Sequence, residues 1–189
     1  MRFEPAIPTR GTAVPSSPEW IHEVKHDGFR LIVVRDGDRA RLLTRNGHDW
    51  TKRYPWIVES ALKNRTRQFA IDGEAVVLGV DGVSDFDALY SRQHDEQVQL
   101  YAFDVLAMDG EDLRQMPLSQ RKISLARLLA RRPDGIFAAP FELGEIGPTC
   151  SALLAAWDSR VWSASGGIAP IVAADVCMGS RSKTRTAQR

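Results

Sequence analysis

Apolar and polar positions alternate first with the period of strands and then, in three places, with that of helices. Residues 1–19 read as an extended arm, because Pro5, Pro8, Pro15 and Pro18 block regular helix. Residues 20–24 and 29–35 are strand-like, with His26-Asp27-Gly28 between them as a turn. Asp36-Gly37-Asp38 predicts a tight hairpin, residues 40–44 the returning strand, and Asn46-Gly47 a further turn. Trp56, Ile57, Val58, Ala61 and Leu62 have helical spacing, predicting a helix over 54–63. Residues 68–80 hold two apolar runs split by Asp72-Gly73-Glu74, and 84–91 read as a short helix. Residues 97–106 alternate, placing Leu100, Ala102 and Asp104 on one face and Tyr101, Phe103 and Val105 on the other. Ser119 is the expected N-cap of a helix reaching about Arg132, and 136–141 read as one more strand. Many strands in hairpin-like order with a few helices predict an α+β fold with antiparallel sheets.

The pattern changes after about Pro148. Residues 150–157 have helical character, 163–167 break it, 168–176 are apolar and Ala-rich, and 179–189 are polar and basic.

Composition narrows the class further. The chain has 189 residues, 43% hydrophobic and 26% charged, with formal net charge +1. That length suits one domain, or one plus an incomplete second. No apolar run is long enough to span a membrane, and the N-terminal stretch lacks the apolar segment of a secretory signal. The two cysteines, Cys150 and Cys177, have no metal-like spacing and form no disulfide framework, so a cytoplasmic location is expected. His22, His26, His48 and His94 have no ligand spacing. A near-neutral charge leaves nucleic-acid binding to local clusters of basic residues.

The chemistry concentrates in Glu23-Val24-Lys25-His26-Asp27-Gly28-Phe29-Arg30. A lysine closes one strand, Asp-Gly turns the chain, and an arginine opens the next. An uncharged lysine is a good nucleophile toward phosphorus when its surroundings lower its pKa. Taken alone, the stretch fits a hairpin with an exposed lysine equally well.

The stretch resembles motif I of the covalent nucleotidyltransferases, which comprise ATP-dependent DNA ligases, RNA ligases and capping enzymes. Thr44-Arg45-Asn46-Gly47 resembles motif Ia, and Ile71-Asp72-Gly73-Glu74 resembles motif III. Ala102-Phe103-Asp104-Val105-Leu106, followed by the hairpin Asp109-Gly110-Glu111-Asp112-Leu113-Arg114, is similar to motif IIIa. Their wording is most similar to bacterial ATP-dependent DNA ligases of the end-joining repair kind. The resemblance implies an adenylation domain over residues 1–148, with two antiparallel sheets and flanking helices forming a nucleotide cleft in an ATP-grasp-like arrangement. It further implies that Lys25 attacks the α-phosphate of ATP to form lysine–AMP. Glu23 would accept a hydrogen bond from the adenine amino group, and Arg30 and Arg45 would contact ribose and phosphate. Glu74 would bind a ribose hydroxyl or the metal, and Phe103 would stack on adenine. ATP and Mg²⁺ are the implied cofactors, and nicked double-stranded DNA the implied substrate. DNA end-joining proteins are the implied partners of a monomer with no membrane association. An RNA ligase or capping-type guanylyltransferase is the rival within the superfamily, and a non-catalytic remnant the rival outside it.

The family pattern continues with motif IV, which carries a metal-binding glutamate, and motif V, which carries two lysines for the α-phosphate. Neither is present, and no following OB-fold domain is expected. At the position for motif IV, Ser165-Gly166-Gly167-Ile168 puts glycine where the carboxylate belongs, and Lys183 stands alone in a polar tail. A one-base shift accounts for this. Residues 158–166 can be encoded so that the shifted frame reads Leu-Glu-Gly-Leu-Val-Cys-Lys-Arg, and residues 178–184 so that the same frame reads Gly-Ile-Lys-Val-Lys-Asp. Residues 149–189 are therefore expected to be an aberrant, out-of-frame tail. Such sequence was not selected to pack, so the sheet facing Lys25 is expected to lack a strand or carry a poor substitute.

Overall fold

The computed structural model describes residues 3, 9–11, 20–24, 26–80, 82–131, 134–143, 162–165 and 172–174. Lys25, the helix expected over 150–157, both cysteines and the basic end from 179 lie outside these residues. In chain order the elements are β1 (Thr9–Gly11), β2 (Ile21–Val24), β3 (Phe29–Asp36), β4 (Arg39–Thr44), α1 (Pro55–Lys63), β5 (Gln68–Val76), α2 (Phe86–Ser91), β6 (Gln99–Met108), β7 (Glu111–Asp112), α3 (Leu118–Leu129), β8 (Ile136–Ala138), β9 (Phe141–Leu143), β10 (Trp162–Ser165) and β11 (Val172–Ala174). No helix among the described residues is long and apolar enough to cross a membrane.

The main sheet runs β4-β3-β5-β6-β7, all antiparallel, with β8 added parallel to β6. A second set of pairings runs β1-β11-β10-β2-β9, antiparallel except for β1 with β11. Strand order is thus mixed, not wholly antiparallel as the hairpin-like sequence suggests. The core lies between the main sheet and the helices. Leu31, Val33, Leu42, Ile71, Leu100 and Val105 pack there against Ile57 of α1 and Leu125 of α3. A smaller cluster of Ile32, Ala70, Leu106 and Ala107 covers part of the sheet's other face.

Five stretches differ from the sequence reading. Asp72-Gly73-Glu74 does not split two runs; it lies in the middle of β5. Polar residues can occupy a central strand here because Asp72 finds a charged partner across the ladder. The strand β6 does not alternate strictly. Its register against β5 steps from Gly73–Ala102 to Asp72–Asp104, and from Ile71–Val105 to Ala70–Ala107. The extra residues Phe103 and Leu106 are bulges that shift the alternation. Val105 therefore joins Leu100 and Ala102 in the core, and Asp104 is turned to the other face. The helix α3 begins at Leu118 after Pro117, with no side-chain cap, so Ser119 lies inside its first turn. The single strand expected over 136–141 breaks at Ala139-Pro140 into β8 and β9, which belong to different sheets. Beyond residue 148, Ser163, read as a helix breaker, lies in β10, which pairs antiparallel with β2.

Two glycines are set by close approach. A Cβ on Gly28 would stand 2.2 Å from the Ala75 carbonyl oxygen, and one on Gly73 would stand 2.7 Å from that of Tyr101. Both neighbours are backbone, so neither can move aside without disturbing the ladder. The Gly73→Ala variant is expected to lose about 1–3 kcal/mol of stability through overpacking, read as a lower urea midpoint. An unchanged midpoint would mean that β6 yields freely beside its bulge.

Candidate functional site

The ladder of the main sheet sorts the motif residues. Arg30 stands opposite Glu74, Ile32 opposite Asp72, Glu74 opposite Tyr101, and Asp72 opposite Asp104. Directly opposed residues project from the same face. Arg30, Asp72, Glu74, Tyr101 and Asp104 thus share the face turned away from the helices. The motif III residues that split the two apolar runs thus lie within a strand, with their charges aligned with those of β3.

Arg30 grips Asp72 with both prongs of its guanidinium, Nε to Oδ1 at 2.9 Å and Nη2 to Oδ2 at 2.7 Å. Asp72 is buried. Burial pushes its carboxyl up, and the Arg30 bond and charge oppose that rise. For Arg30, burial alone would lower the guanidinium, but Asp72, Glu74 and Asp104 outweigh it and the net shift is upward. The same guanidinium lies 5.1 Å from the centroid of the Phe103 ring. The bulge at Phe103 thus brings an aromatic ring beside the charged row.

At the other end of the site, Glu23 of β2 is 5% exposed and Lys122 of α3 is 3% exposed. The Lys122 ammonium donates to Glu23 Oε1 and to the backbone carbonyl of Phe103. Burial pushes the Glu23 carboxyl up, Lys122 opposes that rise by its charge and hydrogen bond, Asp104 adds to it, and the net shift is upward. Next to Lys122, Arg121 holds Asp104 bidentately at 2.9 and 3.0 Å. The elements β2, β6 and α3 are therefore joined through ionic bonds.

His26 accompanies the site. Its Nδ1 lies 3.2 Å from Ser84 Oγ, and its ring centroid lies 4.4 Å from that of Tyr101. Burial pushes the imidazole down, favouring the neutral form. Arg45 is exposed in the turn after β4 and makes no hydrogen bond or ion pair with the described residues. The structure therefore brings Arg30, Glu74 and Phe103 together on one face and links Glu23 to Phe103 through Lys122. It leaves Arg45 apart, and Lys25 is not among the described residues.

Lys122 and Arg121 are the contributors that the motif reading misses. Their signal is in the helix pattern. Leu118, Lys122, Leu125 and Leu129 fall on one helical stripe, and a lysine on an apolar stripe demands a buried partner. Among the described residues, no group of three potential ligands gathers for a metal. Asp72 and Asp104 are each held by an arginine, while Glu74 stands on the same face.

A separate groove of about 770 Å³ opens beside β4 and is lined by Arg41, Trp50, Lys52, Arg53 and Arg92, with Asp49 the acidic member. Asp49 accepts from the Thr51 amide and hydroxyl. None of the motif residues lines this groove.

A family model described as "ATP dependent DNA ligase domain" matches residues 11–142. The multifunctional non-homologous end joining protein LigD of Pseudomonas aeruginosa is 38% identical over 123 residues, covering 64% of this chain and 15% of that protein. A DNA ligase of Natronomonas pharaonis is 39% identical over 140 residues, covering 67% of this chain and 25% of that protein. The chain thus spans a quarter or less of the length of these relatives. Among solved structures, mycobacterial DNA ligase D complexed with ATP and MES superposes with a TM-score of 0.76 at 27% identity, over 92% of this chain and 60% of that one. The ligase domain of Mycobacterium tuberculosis LigD gives 0.75 at 27% identity, over 91% and 58%. The mixed α/β architecture with its antiparallel sheet matches these ligase domains, and with the model spanning most of its length the chain belongs to the ATP-dependent DNA ligase domain family.

Proposed function

We propose that residues 1–148 act as the adenylation domain of an ATP-dependent DNA ligase, with Lys25 as nucleophile and the two sets of strands bounding the nucleotide cleft. The observation that carries this reading is the charged face on which Arg30, Asp72, Glu74 and Phe103 meet, beside the strand β2 that leads into Lys25. In this reading the Lys25 amine attacks the α-phosphorus of ATP. A P–N bond forms, the bond to the bridging oxygen breaks, pyrophosphate leaves, and the amine gives up a proton. Asp72 presents the Arg30 guanidinium toward phosphate or ribose, since a fork held at two nitrogens keeps one orientation. Phe103 offers its ring to adenine, and Glu23 accepts from the adenine amino group. Arg45, exposed in its turn, reaches the nucleotide from the rim.

Mg²⁺ usually keeps several waters and takes one or two carboxylates plus substrate phosphates. Glu74 on the charged face fits that donor set, and the ion when bound would neutralise phosphate charge. The AMP would pass to the 5′-phosphate of a nick in duplex DNA, and the 3′-hydroxyl would then seal the strand. The basic groove around Lys52 and Arg92 suits the DNA backbone, since phosphate neutralisation dominates such binding. Location in the cytoplasm, a monomeric state and a role with end-joining proteins belong to the same reading.

Residues 149–189 are, in this proposal, out of frame, and the motif IV glutamate and motif V lysines are lost with the frame. Preorganised charges on the phosphates supply much of the rate, and losing one such group costs about 10²–10³. With labelled ATP and Mg²⁺, Lys25 is expected to label at least about 10²-fold more slowly than in a chain with the single base restored. Equal labelling would remove the frameshift from the account, and labelling of neither would remove Lys25. The Phe103→Ala variant is expected to weaken ATP binding by about 1–3 kcal/mol through lost stacking, measured by titration calorimetry. Lys52→Ala and Arg92→Ala are each expected to weaken duplex DNA binding and to reduce the salt slope by about 1. An unchanged slope would place the DNA elsewhere.

A further inference from the structure

A lysine occupies the one position of the α3 stripe where Leu118, Leu125 and Leu129 otherwise bury carbon. Its ammonium meets three elements. It donates to Glu23 on β2 and to the Phe103 carbonyl on β6, and it lies 5.4 Å from the ring centroid of Phe141 on β9. Phe141 is itself the cross-strand neighbour of Glu23. Burying an ammonium is costly unless charge and hydrogen bonds compensate. Lys122 has both, and they come from the two residues through which the proposed site would hold a base.

Lys122 binds Oε1 of Glu23, and no donor among the described residues binds Oε2. An ionised carboxylate only accepts hydrogen bonds, whereas a protonated carboxyl also donates one. Adenine presents an amino donor at the position where guanine presents a carbonyl acceptor. We infer that Lys122 sets the choice of adenine over guanine, by holding Glu23 as an acceptor-only carboxylate aimed at the base while anchoring the strand segment that carries Phe103. The inference rests on the reading of Glu23 as the residue that accepts from the base. Lys122 is thus a positioning residue, acting through Glu23.

Among the described residues, the surroundings of Glu23 leave this task to one group. Burial pushes its carboxyl up, and Asp104 on β6 pushes the same way although Arg121 holds it. From β9 the neighbour is the uncharged Phe141, and from β10 the opposed position is Ser163. Lys122 is the described charge that favours the ionised form. Without it, Glu23 keeps its proton to higher pH, and the protonated carboxyl can donate to guanine.

The test is binding of ATP and GTP by equilibrium dialysis, from pH 6 to 9, to the full chain and to Lys122→Met, Lys122→Arg and Glu23→Gln. The parent chain is expected to prefer ATP by about tenfold or more, and Lys122→Arg to keep that preference. Lys122→Met should lose it at neutral pH and regain it as pH rises and Glu23 ionises. Glu23→Gln, which can donate or accept, should lack it at every pH. A merely structural lysine would not produce the pH-dependent recovery. The parent chain also allows a check that needs no stable variant. Carbon-13 spectra of its glutamates, assigned with Glu23→Gln, should find Glu23 ionised throughout this range. An ATP preference in Lys122→Met equal to the parent's at every pH, or a Glu23 that titrates between pH 6 and 9 in the parent, overturns the role of Lys122. If the parent binds neither nucleotide, or both equally, the base-binding reading of Glu23 falls, and the inference with it.

Discussion

The site depends on a single buried ammonium. Lys122 reaches from α3 to β2 and β6 at once, and those strands belong to different sets of pairings. Hydrophobic contact could press these elements together, but it would not fix which atom faces which. An ionic bond with both partners buried does fix it, because each charge is costly without the other. In the two neighbouring pairs, Arg30 with Asp72 and Arg121 with Asp104, a half-buried arginine holds a buried carboxylate. Replacing such pairs by apolar residues often leaves a protein as stable, so their value here lies in geometry.

The main sheet has two different surfaces as a result. The face toward the helices is apolar, and its cluster includes Leu31, Ile71 and Leu100. The face away from them carries the aligned charges, with a small apolar cluster of Ile32, Ala70, Leu106 and Ala107 beside them. In β5 the sequence Ile71-Asp72-Gly73-Glu74 serves both. Ile71 enters the core, Asp72 and Glu74 join the charged row, and Gly73 lets β6 come close enough for the ladder to hold.

The strands near 20–24, 29–35, 40–44 and 97–106 and the helices over 55–63 and 118–129 were legible in the spacing of apolar residues. The charged row was legible through the family motifs and not through periodicity. Asp-Gly reads as a turn by local preference, and nothing nearby reveals that Arg30, 42 residues earlier in the chain, supplies Asp72 with a partner. The bulge at Phe103 was equally hidden, because a register shift depends on the facing strand and not on the strand itself. Pro140 did carry a local signal, since proline ends a ladder, yet the move of β9 to another sheet is a tertiary choice. Lys122 was visible as an anomaly in an apolar stripe, although its partner Glu23 lies 99 residues away.

The break at Ala139-Pro140 has a mechanical consequence. The chain passes between the two sets of strands at two short places, residues 25–28 between β2 and β3, and residues 139–140 between β8 and β9. Since β2 and β9 are themselves paired, both crossings leave the same edge. Two tethers on one edge define an axis, much as two pins define a door's hinge line. Rotation about that line would sweep the distant β1 edge through the largest arc.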